Sequence, residues 1–355
     1  MLRQLLRRVT LVDIFMWIIG LLLIGMVFYG SVRTLVSGKY APTEWVNLTV
    51  TGIALGGIYA LIALGYTLVY GILRMINFAH SEVFMSGPFT AYFLADALDK
   101  AGYFDRYPIL SLLLVMVLSM AVATTVAVLL ERIAYRPLRT APRLVPLITA
   151  IGASFFLQYT FRGLFGSGVK GYPETDWFKR KWCLPDTQAC ISTTQILVIV
   201  AAVLMMVALY AFVQWTKIGK AMRAVSEDKE TAALMGIDVD RVIATTFAVG
   251  GALAGVAGVL YALMFRQVQF FMGFVPGIKA FTAAVLGGIG NIPGAMLGGL
   301  FLGIFEALGP NLFLDGLGIP APYQLKDAIA YTMLVLILIF RPTGILGERL
   351  ARKKA

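Results

Sequence analysis

Histidine and cysteine are almost missing from this chain: His80 is the single histidine, and Cys183 and Cys190 are the two cysteines in 355 residues. A zinc site needs three or four nitrogen, sulfur or carboxylate ligands held close together. A lone histidine far along the chain from two cysteines does not supply such a cluster, so no metal centre is expected. No G-x-x-x-x-G-K-[ST] loop occurs, which leaves the chain without a phosphate cradle of its own. No serine sits in a G-x-S-x-G elbow. These absences argue against an enzyme and against any nucleotide, metal or other cofactor bound by the chain itself. Charge is scarce as well, at 14%, against about a quarter in an ordinary soluble domain.

Apolar residues make up the difference, at 59% of the chain. They come in uninterrupted blocks rather than in a two- or 3.6-residue period. A helix needs roughly 20 apolar residues to cross about 30 Å of hydrocarbon. Inside lipid the backbone must satisfy its own hydrogen bonds, and without alternating patterning a barrel is disfavoured, so helices are the spanning element. The sequence therefore predicts an all-α polytopic membrane protein of about ten transmembrane or half-spanning helices, at about 11–30, 47–71, 83–98, 109–131, 143–164, 193–214, 240–264, 276–290, 294–310 and 325–341. The segments 276–290 and 294–310 are short and rich in glycine, as half-helices or a tilted pair would be. The run that follows Arg3, Arg7 and Arg8 is too long for a signal peptide and lacks a small-residue cleavage site, so it is taken as a first span.

The net charge of +11 is an orientation signal in such a chain, because Lys and Arg accumulate in cytoplasmic loops. Alternating ten segments from an inside N-terminus puts Arg132, Arg136, Arg139 and Arg143 in one cytoplasmic loop, and Lys217, Lys220, Arg223, Lys229 and Arg241 in another. The tail with Arg349, Arg352, Lys353 and Lys354 falls on the same side, so both termini are expected in the cytoplasm. Residues 1–44 read as an extra N-terminal span with an external linker, residues 45–350 as the main domain, and 351–355 as a basic tail. Loop 165–192 is external in this scheme. It holds Cys183 and Cys190, which can pair as a disulfide in an oxidising compartment.

One cytoplasmic loop stands out. Residues 215–241 include "RAVSEDKETAALMGIDVDR", where charges alternate with Ala224, Ala232 and Ala233. Read as a helix over 217–236, it carries a narrow stripe of Val225, Leu234 and Met235 and stops at Gly236. From composition alone it is either a solvated clamp between spans or a surface for another protein. "ETAALMG", Glu230 to Gly236, resembles the E-A-A-x-x-x-G signature of ABC importer permeases, with Thr231 in place of the first alanine. The later part of that signature is not kept. The stretches 219–263, 52–80, 136–158 and "RPTGILG" at 341–347 are similar to branched-chain amino acid permeases of the LivH/LivM type.

The resemblance implies a translocation subunit of an importer in a bacterial or archaeal plasma membrane. It would be partnered by a second, LivM-like permease, two cytoplasmic ATPases that use ATP, and an external substrate-binding protein. It places Glu227, Glu230, Ala232, Ala233 and Gly236 in the helix that couples to the ATPases, with Ala232 and Ala233 as close-contact positions. A member of the same family carrying urea or short amides is the alternative cargo, and a stand-alone channel is the alternative class.

Polar residues in the spans are few. Thr149, Gln158 and Glu306 are candidate pathway residues, and Asn77 and His80 interrupt the second and third segments, where capping of freed helix ends is the simplest role. Asp13 and Glu306 are the ionisable residues read as lying within spans.

Overall fold

The computed structural model describes residues 11–139, 141–142, 144–183, 190–341 and 343–347. Arg3, Arg7, Arg8, Arg143, Arg349, Arg352, Lys353, Lys354 and the basic tail 351–355 lie outside the described residues, as does the side chain of Asp13. The main helices are α1 (Leu11–Ser37), α2 (Pro42–Leu73), α3 (His80–Lys100), α4 (Pro108–Leu130), α5 (Leu144–Phe165), α6 (Thr193–Trp215), α7 (Lys217–Glu227) and α8 (Lys229–Leu234). They continue with α9 (Val239–Phe265), α10 (Phe274–Gly287), α11 (Ile292–Gly309) and α12 (Lys326–Phe340). Among the described residues the strands form two short antiparallel pairs: β1 (Lys170–Gly171) with β4 (Gln267–Val268), and β2 (Lys181–Cys183) with β3 (Cys190–Ser192). Among the described residues eight helices are long and apolar enough to cross a membrane, so the all-α polytopic reading holds.

Helix starts follow the local chemistry. Ser192 opens α6 in a reciprocal box with Gln195. Asn291 opens α11 by accepting from the Gly294 amide at 3.0 Å, just ahead of Pro293. Such caps satisfy amides that have no partner within the helix.

The centre of the bundle is α2 with α9, and small residues set its tightest crossings. Along α2, Gly52, Gly56 and Ala60 meet Gly299, Gly303 and Ala307 of α11. A Cβ on Gly303 would lie 2.2 Å from the Gly56 amide nitrogen. Helices without side chains between them approach by direct van der Waals contact of their backbones. Between α4 and α9, Gly251 and Gly255 play the same part, and Ser119 Oγ donates to the Gly255 carbonyl at 2.7 Å.

Two of the ten apolar segments are not simple spans. The chain turns at Arg74, which has φ 56°, and 74–79 climbs back into the bundle. His80, the first residue of α3, stacks against Gly65, about two turns or 12 Å from the end of α2. Thus α3 starts at membrane depth, where irregular backbone is tolerated because protein surrounds it. The 14 residues of α10 span about 21 Å, too short to cross the membrane. By contrast α11 continues through Pro310–Leu314 and forms a full span.

The two ends of the bundle differ. One end gathers α7 and α8, the residues after α4, and the segment 343–347. There Ile345 and Leu346 donate their amides to the Leu286 and Gly287 carbonyls at 2.8 and 3.0 Å, and Asn291 Nδ2 donates to the Leu346 carbonyl at 2.9 Å. "TGILG" is thereby a strap over the end of α10, satisfying carbonyls a helix terminus leaves open. Gly344 is required in it: its φ is +74° and a Cβ would meet Gly288 at 2.5 Å. The opposite end carries both strand pairs. Cys183 and Cys190 are register partners there, joined by a disulfide.

Candidate functional site

The charged stretch after α6 forms two helices, not the single helix expected over 217–236. Thr216 caps α7, accepting from the Gly219 amide at 3.0 Å. At Asp228 the backbone becomes extended, with φ −150° and ψ 114°. The Asp228 carboxylate then accepts from the Glu230 and Thr231 amides at 2.9 and 3.1 Å and from the Thr231 hydroxyl at 2.8 Å. The hydroxyl bond, followed by the amides, holds the Asp228 carboxyl below its ordinary range. An acidic residue competing for backbone amides is a better helix starter than a helix interior residue, and that competition breaks the chain at this position.

α8 ends in a Schellman closure: Ile237 donates to the Ala232 carbonyl at 3.1 Å and Gly236 to the Ala233 carbonyl at 3.0 Å. Gly236 has φ +84° with open space around its Cα, so the demand for glycine there is conformational rather than steric.

Burial sorts the residues into two faces. Met222 and Val225 of α7 and Ala232 of α8 are buried against the bundle. Ala232 is therefore an internal packing residue and does not present itself to another chain. Likewise Val225 does not form a stripe with Leu234 and Met235. Those two are 88% and 79% exposed, with Ala233, Glu227, Glu230 and Gly236 on the same open surface. The pair of helices is held to the bundle end by Arg74, whose Nη2 donates to the Ser226 carbonyl at 3.1 Å. Lys229 sits nearby, its pKa lowered by partial burial and then by the cations of Arg139 and Arg74. Arg136 and Arg139 pair with Asp240, and Arg139 also with buried Glu131. This network ties the segment after α4 to the start of α9.

The other sequence candidates separate. Asn77 does not cap α3 with its side chain: Ala79 holds that position, and Asn77 Oδ1 instead accepts from the Tyr135 hydroxyl at 2.5 Å. His80 caps nothing either, and its Nε2 is buried without a hydrogen-bond partner. Thr149 donates to its own helix, to the Val145 carbonyl at 2.9 Å. Gln158 does belong to a cluster: its Nε2 donates to Glu82 at 3.0 Å, joined by Ser154 Oγ at 3.2 Å. Glu82 is fully buried, although it lies one residue ahead of the apolar segment 83–98 and the sequence around it gives no sign of an interior position. Lys279, inside the segment 276–290, is a further buried ionisable residue, in addition to the Asp13 and Glu306 expected within spans. It bonds Glu306 at 2.7 Å in the interior. Among the described residues no group of three or more His, Cys, Asp or Glu is placed to hold a metal ion.

A bundle of this kind, with its apolar spans and a helix pair presented at one end, is that of a multi-pass membrane protein. The comparisons agree. The family described as "Branched-chain amino acid transport system / permease component" matches residues 48–338, and the chain belongs to that family. It is similar to the high-affinity branched-chain amino acid transport system permease protein BraD of Pseudomonas aeruginosa, at 44% identity over 308 residues, covering 86% of this chain and 96% of that one. It is also similar to the corresponding permease protein LivH of Escherichia coli K12, at 43% identity over 300 residues, covering 84% and 94%. These relatives are transport permeases, and the chain is a transport subunit rather than an enzyme.

Proposed function

We propose that this chain is one translocation subunit of an ATP-driven importer of branched-chain or closely related neutral amino acids. A second homologous permease pairs with it, two cytoplasmic ATPases seat on α7 and α8, and an external binding protein delivers cargo at the opposite end. Both termini and the α7–α8 end then face the cytoplasm, and the end with the Cys183–Cys190 disulfide faces the oxidising side. Residues 45–350 are the permease body, with 1–44 an added span and linker. ATP is used by the partners alone.

The observation that carries this reading is the tip of α8. A short helix fixed at both ends by Asp228 and Gly236 holds two large apolar side chains, Leu234 and Met235, out in water. Rigid presentation of exposed apolar residues beside charges is what a docking contact requires, and a solvated clamp has no use for it. The names of the relatives support the cargo class.

The experiment is reconstitution of the chain with its second permease, ATPases and binding protein into proteoliposomes. Leucine uptake is expected only with ATP on the ATPase side and only with the binding protein present. Equal uptake without ATPases would make the chain a facilitator, and ATP-driven uptake of urea but not leucine would replace the cargo.

A further inference from the structure

At the end of the bundle opposite α7 and α8, a cavity of about 220 Å³ opens between α2, α9, α10, α11 and α12. Its deep wall is charged. Lys279 Nζ lies 2.7 Å from Glu306 Oε1 and 2.6 Å from Asp327 Oδ1. Lys279 and Glu306 are 3% and 2% exposed. One ammonium thus bridges two carboxylates, Lys326 lines the same cavity as a second cation, and the second oxygen of Glu306 accepts no hydrogen bond. A buried carboxylate normally has its lone pairs satisfied, and ionisable groups at membrane depth are expensive and mark functional sites. The Glu306 carboxylate therefore has room for one more donor at its second oxygen.

The remaining walls say what kind of cation fits. Tyr59, Tyr261, Met272 and Val275 give the cavity an aromatic and aliphatic lining. A hard metal ion takes six to eight oxygens, which this lining does not offer. An ammonium group brings several N–H donors, is attracted to aromatic faces, and can carry an apolar body. Lys326 and Gln267 also line the cavity and can donate to a carboxylate. At roughly 30 Å³ per water molecule, the space holds a small organic molecule and little more.

We infer that this cavity is a receiving site for a zwitterionic aliphatic amino acid, with Glu306 Oε2 accepting its α-ammonium group. The inference rests on the cargo class proposed above. Lys279 is the positioning residue: it fixes Glu306 from one side so that the free oxygen faces the cavity. The site lies where cargo would first enter from an external binding protein.

The test uses the complete transporter in cells carrying Val275→Cys on the cavity wall, with the native disulfide left in place. An impermeant thiol reagent is applied with and without L-leucine or 4-methylpentanoate, which has a similar branched skeleton but no ammonium. Leucine is expected to slow modification and 4-methylpentanoate to leave it unchanged. Glu306→Gln, which keeps shape and the Lys279–Asp327 pair, should raise the protecting leucine concentration about tenfold or more, the effect of losing one charged hydrogen bond. If Glu306→Gln does not reach the membrane, the comparison of the two compounds on the native Glu306 still decides. Equal protection by both compounds, or leucine uptake with no protection at all, overturns the site. Absence of leucine uptake by the intact system overturns the cargo reading, and this one with it.

Discussion

Replacing Leu234 and Met235 together by aspartate should bring uptake to background while the protein remains folded in the membrane. Both side chains are largely in water, so no contact within the chain is lost. Burying each against a partner would contribute about 1.5–3 kcal/mol. Losing two such anchors weakens the ATPase contact by roughly a hundredfold or more, at tenfold per 1.4 kcal/mol. The aspartates add the cost of placing charge in an apolar seat. The readouts are leucine uptake, co-purification of the ATPases, and the elution profile of the detergent-solubilised protein. Normal uptake with the ATPases bound would show that the seat lies elsewhere. Ala232→Trp is a poorer probe, because Ala232 is packed inward and the substitution would disturb α8 itself. Glu230→Ala should have a smaller effect than the double aspartate, since an exposed charge contributes little.

Gly303→Leu should prevent the bundle from forming. Its Cβ would sit 2.2 Å from Gly56 N and 2.3 Å from Gly56 Cα. No side chain can rotate away there, because both obstacles are backbone. The crossing of α2 and α11 would have to open, at more than the about 1–3 kcal/mol of ordinary overpacking. Gly25→Leu on α1 is the control, as nothing lies within 4 Å of that position. Membrane accumulation and thermal aggregation of the two variants are the measurements. Gly303→Leu is expected to be absent or aggregated and Gly25→Leu to match the native protein. Equal accumulation and stability of both would mean that the α2–α11 contact is looser than described.

The spans were readable because lipid imposes one rule on every helix: enough consecutive apolar residues, with the backbone bonded internally. The half-length of α10 was open from the sequence, since Gly287, Gly288 and Gly290 can end a helix or merely thin one. The break at Asp228 had a visible signal. An aspartate followed by Lys229, Glu230 and Thr231 is a helix start with acid in the first turn, but the even alternation of charge and alanine across 217–236 hid it.

Other features had no local signal at all. Glu82 and Gln158 meet only because α3 and α5 pack, and nothing near either residue announces the other. The same is true of Lys279 with Glu306 and Asp327, which come from three helices. Asn77 looked like a cap because it precedes α3. Its carbonyl oxygen accepts from the His80 amide at 3.1 Å while its side chain reaches Tyr135, a choice fixed by the fold around it.

A photoreactive benzophenone side chain placed at position 235 tests the central claim most directly, by irradiation of the assembled transporter in its membrane. The exposed tip of α8 should capture an ATPase subunit as a discrete cross-linked band, and the same group at position 25 on α1 should not. Capture of lipid alone at 235, with the ATPases still co-purifying with the chain, would contradict the account.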